Sequence, residues 1–202
     1  MNNQTAINTI SDEWFQEIKA LETIKNWEEH TDEPCMVWNL DRKDRVVTKA
    51  ETTYNLPFDA VVAYMSDPLL MKKMSKQVEK AELLHDDGDK RVVFIKMEGA
   101  GPVSSREVVA VNSIRQENSK KAYIGSRSID YPCKFADPDS VRAELHVAGF
   151  IIEALDGGKT KVTSFNDIDL KGMIPGFIKN SMSKKRASNI VELEEKIRNN
   201  VK

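Results

Sequence analysis

The side chains best suited to chemistry lie on one predicted strand, VRAELHVAGF (141–150). Residues two apart in a strand point to the same side, so Arg142, Glu144 and His146 share one face. A carboxylate beside an imidazole has the composition of an acid–base pair. No nucleophile or metal-ligand set accompanies the pair, and we therefore predict no catalytic residue and no enzymatic activity. On a sheet covered on one side only, these three side chains would simply face solvent.

Histidines and cysteines are too scattered to predict a metal site. His30, His85 and His146 form no H-x-x-x-H pair, and Cys35 lies far from Cys133 in the chain. This spacing favours two reduced thiols over a disulfide framework. We therefore expect no metal site.

Composition excludes several classes of partner. The chain has 202 residues, 40% hydrophobic and 31% charged, with a net charge of −2, which gives no general attraction to nucleic acid. Its N-terminus, MNNQTAINTISDEW, has neither the basic nor the apolar region of a secretory signal. We expect a cytoplasmic protein.

The order of predicted elements indicates an α+β domain spanning residues 1–202. An amphipathic helix over 11–28, with Ser11 as its N-cap, precedes a sheet over 35–170. The turn sequences DDGD, ENSK and DGG each join two strands, which predicts antiparallel hairpins. A long helix over 174–199 ends the chain. Helices segregated on one antiparallel sheet are the arrangement of an α+β fold.

Two predicted strands, RVVFI (91–95) and EVVAV (107–111), are apolar on both faces. An antiparallel sheet of this kind needs cover on both sides. The C-terminal helix could cover one side of a curved sheet and leave room for a ligand, or pack on it as a solid core.

Several separated motifs resemble those of StAR-related lipid transfer domains, the START family. SSREVVAVNSIR (104–115) is similar to the family's S-x-R-D-f-v motif, and GSRSIDYP follows it. VRAELHVAGFIIEAL (141–155) and KVTSFNDIDLKGMIP (161–175) resemble later family motifs, in the same order. The resemblance implies a helix-grip fold, in which a curved antiparallel sheet wraps around a long C-terminal helix and encloses a lipid tunnel. It also implies a monomer without cofactors that carries a phospholipid, sphingolipid or sterol between membranes.

Two positions depart from the family pattern. Glu107 stands where Asp usually follows the motif Arg106, and it keeps the charge. Asn112 stands where some sterol-binding members have an arginine, which weakens the expectation of a sterol.

The resemblance also implies that the strand face with His146 looks into the tunnel. A buried polar group needs a partner, so we expect a polar network that receives a lipid head group. Arg142 and Glu144 could instead pair structurally with each other or with neighbours such as Arg106. The predicted polar ligand-binding residues are Asn112, Arg142, Glu144, His146, Ser164 and Asn166.

The C-terminal helix carries an apolar stripe and a basic run. We predict that Phe177, Ile178 and Met182 form the roof of the tunnel, with the loop at about 130–140 completing the lid. Seven Lys or Arg and three Glu lie between 179 and 202. The helix could therefore dock transiently on an anionic membrane, although a solvated helix face is the alternative. The predicted docking residues are Lys179, Lys184, Lys185 and Arg186.

Lipid transfer is the function that the resemblance implies, with peripheral membrane contact from the cytoplasm. The wider helix-grip superfamily includes cyclases and hydrolases. If this chain were such an enzyme, Glu144 and His146 would be its acid–base pair. A lipid sensor is a third possibility, against which the lack of a second domain to receive a signal argues.

Overall fold

A computed structural model describes residues 3–32, 35–42, 45–99, 101–172 and 176–200, with side chains for all of these except 30–32 and 176–187. Its elements in chain order are α1 (Asn3–Thr23), β1 (Glu28–Asp32), β2 (Cys35–Arg42), β3 (Arg45–Tyr54), α2 (Phe58–Met65), α3 (Leu70–Met74), β4 (Val78–Asp87), β5 (Lys90–Met97), β6 (Arg106–Asn118), β7 (Lys121–Ser128), β8 (Val141–Arg142), β9 (Glu144–Leu155), β10 (Lys159–Asp169) and α4 (Gly176–Asn200).

The strands form one open sheet in the order β1-β2-β3-β10-β9-β7-β6-β5-β4, while the short β8 pairs with β6. Every pairing is antiparallel apart from the parallel β6–β8 contact. The predicted hairpins β4–β5, β6–β7 and β9–β10 are all present. Gly88 and Gly157 have φ near +70° in their turns, a conformation that favours glycine. The α+β fold with a large antiparallel sheet and a C-terminal helix is therefore confirmed.

Helix α1 covers the outer face of the sheet, against β5, β6, β7 and β9. Ile7, Trp14, Ile18 and Leu21 follow helical spacing and are fully buried there. The helix begins at Asn3, well before the predicted start. Ser11 is not its cap but lies buried within it, where its hydroxyl accepts a hydrogen bond of 2.9 Å from Ser113. Ile7 packs against apolar residues of β5 and β6 and so stabilises the first turns of the helix. The mostly polar sequence of these turns did not predict this contact.

Helices α2 and α4 cover the opposite, inner face. Ile190, Leu193 and Ile197 of α4 are buried in a cluster with residues such as Ile124 and Ile152 of the sheet. A second inner cluster contains Val108, Ala110 and Ala143 of the sheet, packed against Leu145, Ile168, Met97 and Leu170. Residues on both faces of the two doubly apolar strands are buried, including Val92 and Val93 of β5 and Val108 and Val109 of β6.

Three anchors fix the C-terminal half of α4 to the rest of the domain. The Tyr54 hydroxyl donates to the carbonyl of Ile190, and the Asn55 amide donates to Glu194. Lys196 donates to the carbonyls of Lys73 and Met74. None of the helices that the structure describes is both long and apolar enough to cross a membrane.

Candidate functional site

A row of polar side chains crosses the inner face of the sheet at right angles to the strands. Each residue is the register partner of the next, so the row continues across seven strands from β2 to β5. Only its middle position, Ala148, is apolar. In spatial order the polar row consists of Asn39, Thr48, Asn166, Ala148, Ser126, Asn112 and Arg91.

The residues next to the polar row in the sequence pack on the outer face of the sheet, so the polar row itself faces inward. Asn112 lies between Val111, which packs in the same outer cluster as Ile7 of α1, and Ser113, which bonds to Ser11 of that helix. Asn166 follows Phe165, which lies in the same outer cluster as Trp14. Because successive side chains alternate between faces, Asn112 and Asn166 point toward the side of α2 and α4.

Three asparagines of the polar row carry an unsatisfied oxygen. The Oδ1 atoms of Asn39, Asn112 and Asn166 are buried and have no hydrogen-bond partner among the described residues. The Asn112 amide nitrogen donates to the Ser126 hydroxyl at 3.2 Å and weakly to the Gly125 carbonyl at 3.4 Å, which fixes which end of the amide is the free acceptor. Buried acceptors of this kind need a donor from water or from a ligand.

Apolar side chains flank the polar row on both sides. On one side, Phe150 and Ile124 pack with the cluster that contains α4, and Ser164 lies in the same line with its hydroxyl 3.4 Å from the Ala50 carbonyl. On the other side lie Ile168 and Leu145 of the second inner cluster. The inner face therefore offers one polar row between two apolar regions, the arrangement that an amphipathic ligand requires.

The cation at the end of the polar row is already paired. Arg91 lies 3.1 Å from the Asp86 carboxylate and donates a 3.1 Å hydrogen bond to the Ser66 carbonyl at the end of α2. Its charge thus stabilises the junction of β5 and α2.

Arg142 has a structural partner, as one of the sequence alternatives proposed, but that partner is Glu107. Both Nε and a terminal nitrogen of Arg142 donate to one Glu107 oxygen, at 3.0 and 2.7 Å. The other Glu107 oxygen accepts from the Asp137 amide, so both oxygens of this buried carboxylate have hydrogen-bond partners. Arg106 is likewise used structurally, since it donates to the carbonyls of Leu170 and Lys171.

The expectation that Glu144 and His146 share the tunnel face is not what the structure shows. The β9–β10 register pairs Asp167 with Val147 and Ile168 with Leu145, so His146 is an extra, bulged residue. The bulge turns Leu145 into the inner apolar cluster. Glu144 is exposed and accepts a 2.7 Å hydrogen bond from Lys171.

Glu144, His146 and Asp169 are the described residues whose ligand atoms could approach one metal ion, since these atoms lie within 4.8 Å of one another. The Lys171 ammonium already lies 2.7 Å from Glu144 and 2.8 Å from Asp169. Its hydrogen bonds lower the pKa of both carboxyls. The lysine supplies the positive charge that a metal would bring.

The sequence prediction included Asn112, Ser164 and Asn166, whose role in ligand binding stays a prediction, and it did not include Asn39, Thr48 and Ser126. Asn39 has an apolar or aromatic neighbour on each side, whereas Thr48 and Ser126 are each followed by a basic residue. Only the strand register reveals that all three align with Asn166 and Asn112. The side chains of Phe177, Ile178, Met182, Lys179, Lys184, Lys185 and Arg186 lie outside those that the structure describes, and their predicted roles stay predictions.

The START domain family model matches residues 12–200. Human StAR-related lipid transfer protein 5 has a similar structure, with a TM-score of 0.84 and 16% identity over 96% of this chain and 97% of that chain. Human STARD10 gives a TM-score of 0.77 and 18% identity over 91% and 77%. A StAR-related lipid transfer protein fragment from Xanthomonas axonopodis gives 0.69 and 17% over 86% and 99%. No curated relative matches the chain significantly. At these identities the structural likeness shows the fold.

Proposed function

Because the chain belongs to the START domain family, we propose that it binds one lipid molecule between the inner face of the sheet and α4, and carries it between membranes. The observation that supports this most is the polar row with its three free acceptors between two apolar regions. We further propose that the protein acts as a monomer without a cofactor, in the cytoplasm.

The apolar regions would supply most of the binding free energy. Burial of each methylene group of an acyl chain contributes about 0.8 kcal/mol. The polar row would contribute orientation instead, because a head group that pairs with buried acceptors replaces the water that they would otherwise bind. A lipid would thus lie with its head group at the polar row and its tails along Phe150 and Ile124 or along Leu145 and Ile168.

Entry of a lipid requires part of the cover to move. Tyr54, Asn55 and the Lys196 contacts fix the C-terminal half of α4, so we propose that its N-terminal half opens together with the loop at 130–140. Lys179, Lys184, Lys185 and Arg186 lie in that half of the helix. Each would add about 1 kcal/mol of attraction to an anionic bilayer.

The carrier proposal is preferred over an enzyme that uses Glu144 and His146. The Glu144 carboxylate is hydrogen-bonded to Lys171, which lowers its pKa, and it lies 3.7 Å from the His146 ring nitrogen. A lowered pKa and an exposed position make this carboxylate a weak general base.

Transfer between vesicles tests the proposal directly. We expect the purified protein to co-purify with one lipid molecule in native mass spectrometry, and to accelerate movement of a fluorescent phospholipid or sphingolipid from donor to acceptor vesicles. Ala148→Phe fills the middle of the polar row and should reduce transfer at least tenfold. Ala20→Phe, the same substitution on the exposed side of α1, is the matched control. Failure of the wild-type protein to bind or transfer any lipid would contradict the proposal.

Membrane docking has its own test. Replacing Lys184, Lys185 and Arg186 by glutamine should weaken association with vesicles that contain phosphatidylserine and leave binding of monomeric lipid unchanged. Lys120→Gln in the exposed β6–β7 turn is the control for loss of a positive charge elsewhere. Equal association of the triple variant and the wild type would remove the basic run from the mechanism.

A further inference from the structure

The short helix α3 ends in a group of lysines around one serine. Lys72, Lys73 and Lys76 are exposed, and Ser75 lies among them directly after the last helical residue. No acidic residue occurs from 68 to 78. Two basic side chains therefore precede a hydroxyl by three and two positions. Protein kinases of the basophilic class select this pattern, because acidic side chains of the kinase bind the basic ones of the substrate.

The backbone around Ser75 suits a segment that must enter the groove of an enzyme. Ser75 is the C-cap of α3, with φ −129° and ψ 125°, which is an extended conformation. Its side chain is partly exposed, and its hydroxyl oxygen accepts a 3.2 Å hydrogen bond from the Gln77 amide. Helix α3 has five residues and buries only Leu70, at its first position. A helix this short contributes little stability of its own, so residues 71–76 can become extended at low cost.

A fourth lysine reaches this serine from the far end of the chain. Lys196 of α4 donates to the carbonyls of Lys73, at 3.3 Å, and Met74, at 2.9 Å. The Met74 carbonyl belongs to the peptide bond that joins Met74 to Ser75, so the Lys196 ammonium lies beside Ser75. Lys73 already forms an ion pair with Asp67, whereas the described partners of Lys196 are uncharged carbonyls. An anion on Ser75 would therefore lie close to an ammonium that has no carboxylate among those partners.

We propose that Ser75 is a phosphorylation site for a basophilic protein kinase, and that its phosphate binds Lys196 and so fixes α3 to α4. The Ser75 hydroxyl oxygen attacks the γ-phosphorus of ATP, the bond from that phosphorus to the ADP oxygen breaks, and the hydroxyl proton passes to a carboxylate of the kinase. The phosphate carries nearly two negative charges at neutral pH and accepts charge-assisted hydrogen bonds from the ammonium.

Phosphorylation would strengthen one of the three anchors of the C-terminal half of α4. That anchor now consists of hydrogen bonds from Lys196 to two neutral acceptors, and an ion pair between phosphate and ammonium is stronger than either. The inference goes beyond lipid binding and does not depend on which ligand the inner face holds.

Mass spectrometry that locates the phosphate tests the site. The full chain is incubated with ATP and the purified catalytic subunit of a cyclic-AMP-dependent kinase. Every sample carries Ser188→Ala, because residues 185–188 also place basic side chains before a serine. We expect one phosphate on Ser75 and none at this position in Ser75→Ala. Lys72→Gln should slow the reaction roughly tenfold, whereas Lys120→Gln, which removes an exposed lysine elsewhere, should not. An unmodified Ser75, or an equal rate for Lys72→Gln and its parent, would overturn the site.

The contact with Lys196 has a separate test. Phosphorylation of Ser75 should raise the melting temperature by about 2 °C and slow amide hydrogen exchange in the C-terminal half of α4. Lys196→Met should abolish both effects, because it removes the ammonium that the phosphate binds. Lys159→Met, at the exposed start of β10, is the matched control and should preserve them. An unchanged or lowered melting temperature of the phosphorylated protein would overturn the contact between the phosphate and Lys196.

Discussion

The indole N–H of Trp14 donates a 3.0 Å hydrogen bond to the carbonyl oxygen of Ala148. Trp14 belongs to the helix on the outer face, whereas the Ala148 side chain lies on the inner face at the centre of the polar row. The outer helix therefore fixes the backbone at the centre of the polar row, where we place the lipid head group.

Gly125 and Gly149 make the close contact between Trp14 and the sheet possible. A Cβ atom at Gly125 would lie 2.1 Å from the Ala148 carbonyl and 2.8 Å from the Trp14 ring. We expect Gly125→Ala to lower the free energy of unfolding by about 2–4 kcal/mol, because backbone and indole must both move. Urea denaturation measures this loss. Gly88→Ala is the control, because a Cβ atom there meets no neighbour and the only cost is the positive φ. We expect it to lower the free energy of unfolding by about 1 kcal/mol.

An unpaired, buried acceptor in the polar row should lower the free energy of unfolding of the lipid-free protein. Asn166→Leu removes a buried, unpaired oxygen, and we expect it to raise the free energy of unfolding by about 1 kcal/mol in lipid-free protein. Asn112→Leu should gain less, because it also removes the hydrogen bond to Ser126. Thermal unfolding of delipidated samples checks both. Destabilisation by Asn166→Leu would indicate that the oxygen already has a partner.

The ion pair between Arg142 and Glu107 should contribute to stability and not to lipid selection. Removing Arg142 leaves a nearly buried carboxylate with the Asp137 amide as its remaining hydrogen-bond partner among the described contacts. Because Arg142 is 43% exposed, we expect Arg142→Met to cost about 1–3 kcal/mol, less than a fully buried pair.

The control for Arg142→Met is the exposed helical pair of Arg198 and Glu194, where Arg198→Met should change stability by less than about 0.5 kcal/mol. Lipid extraction should be unchanged once the Arg142 variant is folded. A change in which lipid is extracted would instead assign Arg142 to the ligand site, as the sequence first suggested.

Asp167 should make the protein less stable as pH rises. Burial raises the pKa of its carboxyl above the ordinary value of 3.8, against the opposing charges of Arg45 and His146. The folded chain then holds a proton that the unfolded chain releases, so this favourable contribution is lost as pH rises through the folded pKa.

The Asp167→Asn variant has no carboxyl to ionise at this buried position, so we expect it to be more stable than the wild type near neutral pH. We expect its advantage to shrink as the pH falls toward 3.8, where the wild-type carboxyl is protonated as well. Urea denaturation of both proteins across this range measures the difference. An advantage that is the same at all pH values would show that the carboxyl does not titrate in the folded protein.

Much of the fold follows from local signals, because each predicted hairpin turn lies between two predicted strands and fixes an antiparallel pairing. The candidate site follows only in part. Asn112 and Asn166 could be selected because they lie within motifs that resemble those of the family, but Asn39 and Thr48 depend on the register of three strands. Register is set by packing across the whole sheet, which a single sequence does not display.

His146 shows a second reason why the sequence did not predict the whole site. Strict alternation places it with Arg142 and Glu144, and the inference about the tunnel depended on that alternation. One extra residue opposite the Asp167–Ile168 step reverses the faces beyond it, so that Leu145 packs inward. The bulge has no local sequence signature of the kind that a glycine-containing turn has.

The order of strands in the sheet determines when they can pair during synthesis. Strand β10 separates β3 from β9, so Thr48 meets Asn166 only after nearly the whole chain has been synthesised. Until then the first three strands have an unpaired edge where β10 will lie, and the polar row exists as two unconnected halves. A pairing between strands so far apart in the sequence forms slowly and leaves strand edges exposed meanwhile. We therefore expect the chain to be prone to aggregation through this edge until β10 has paired with β3.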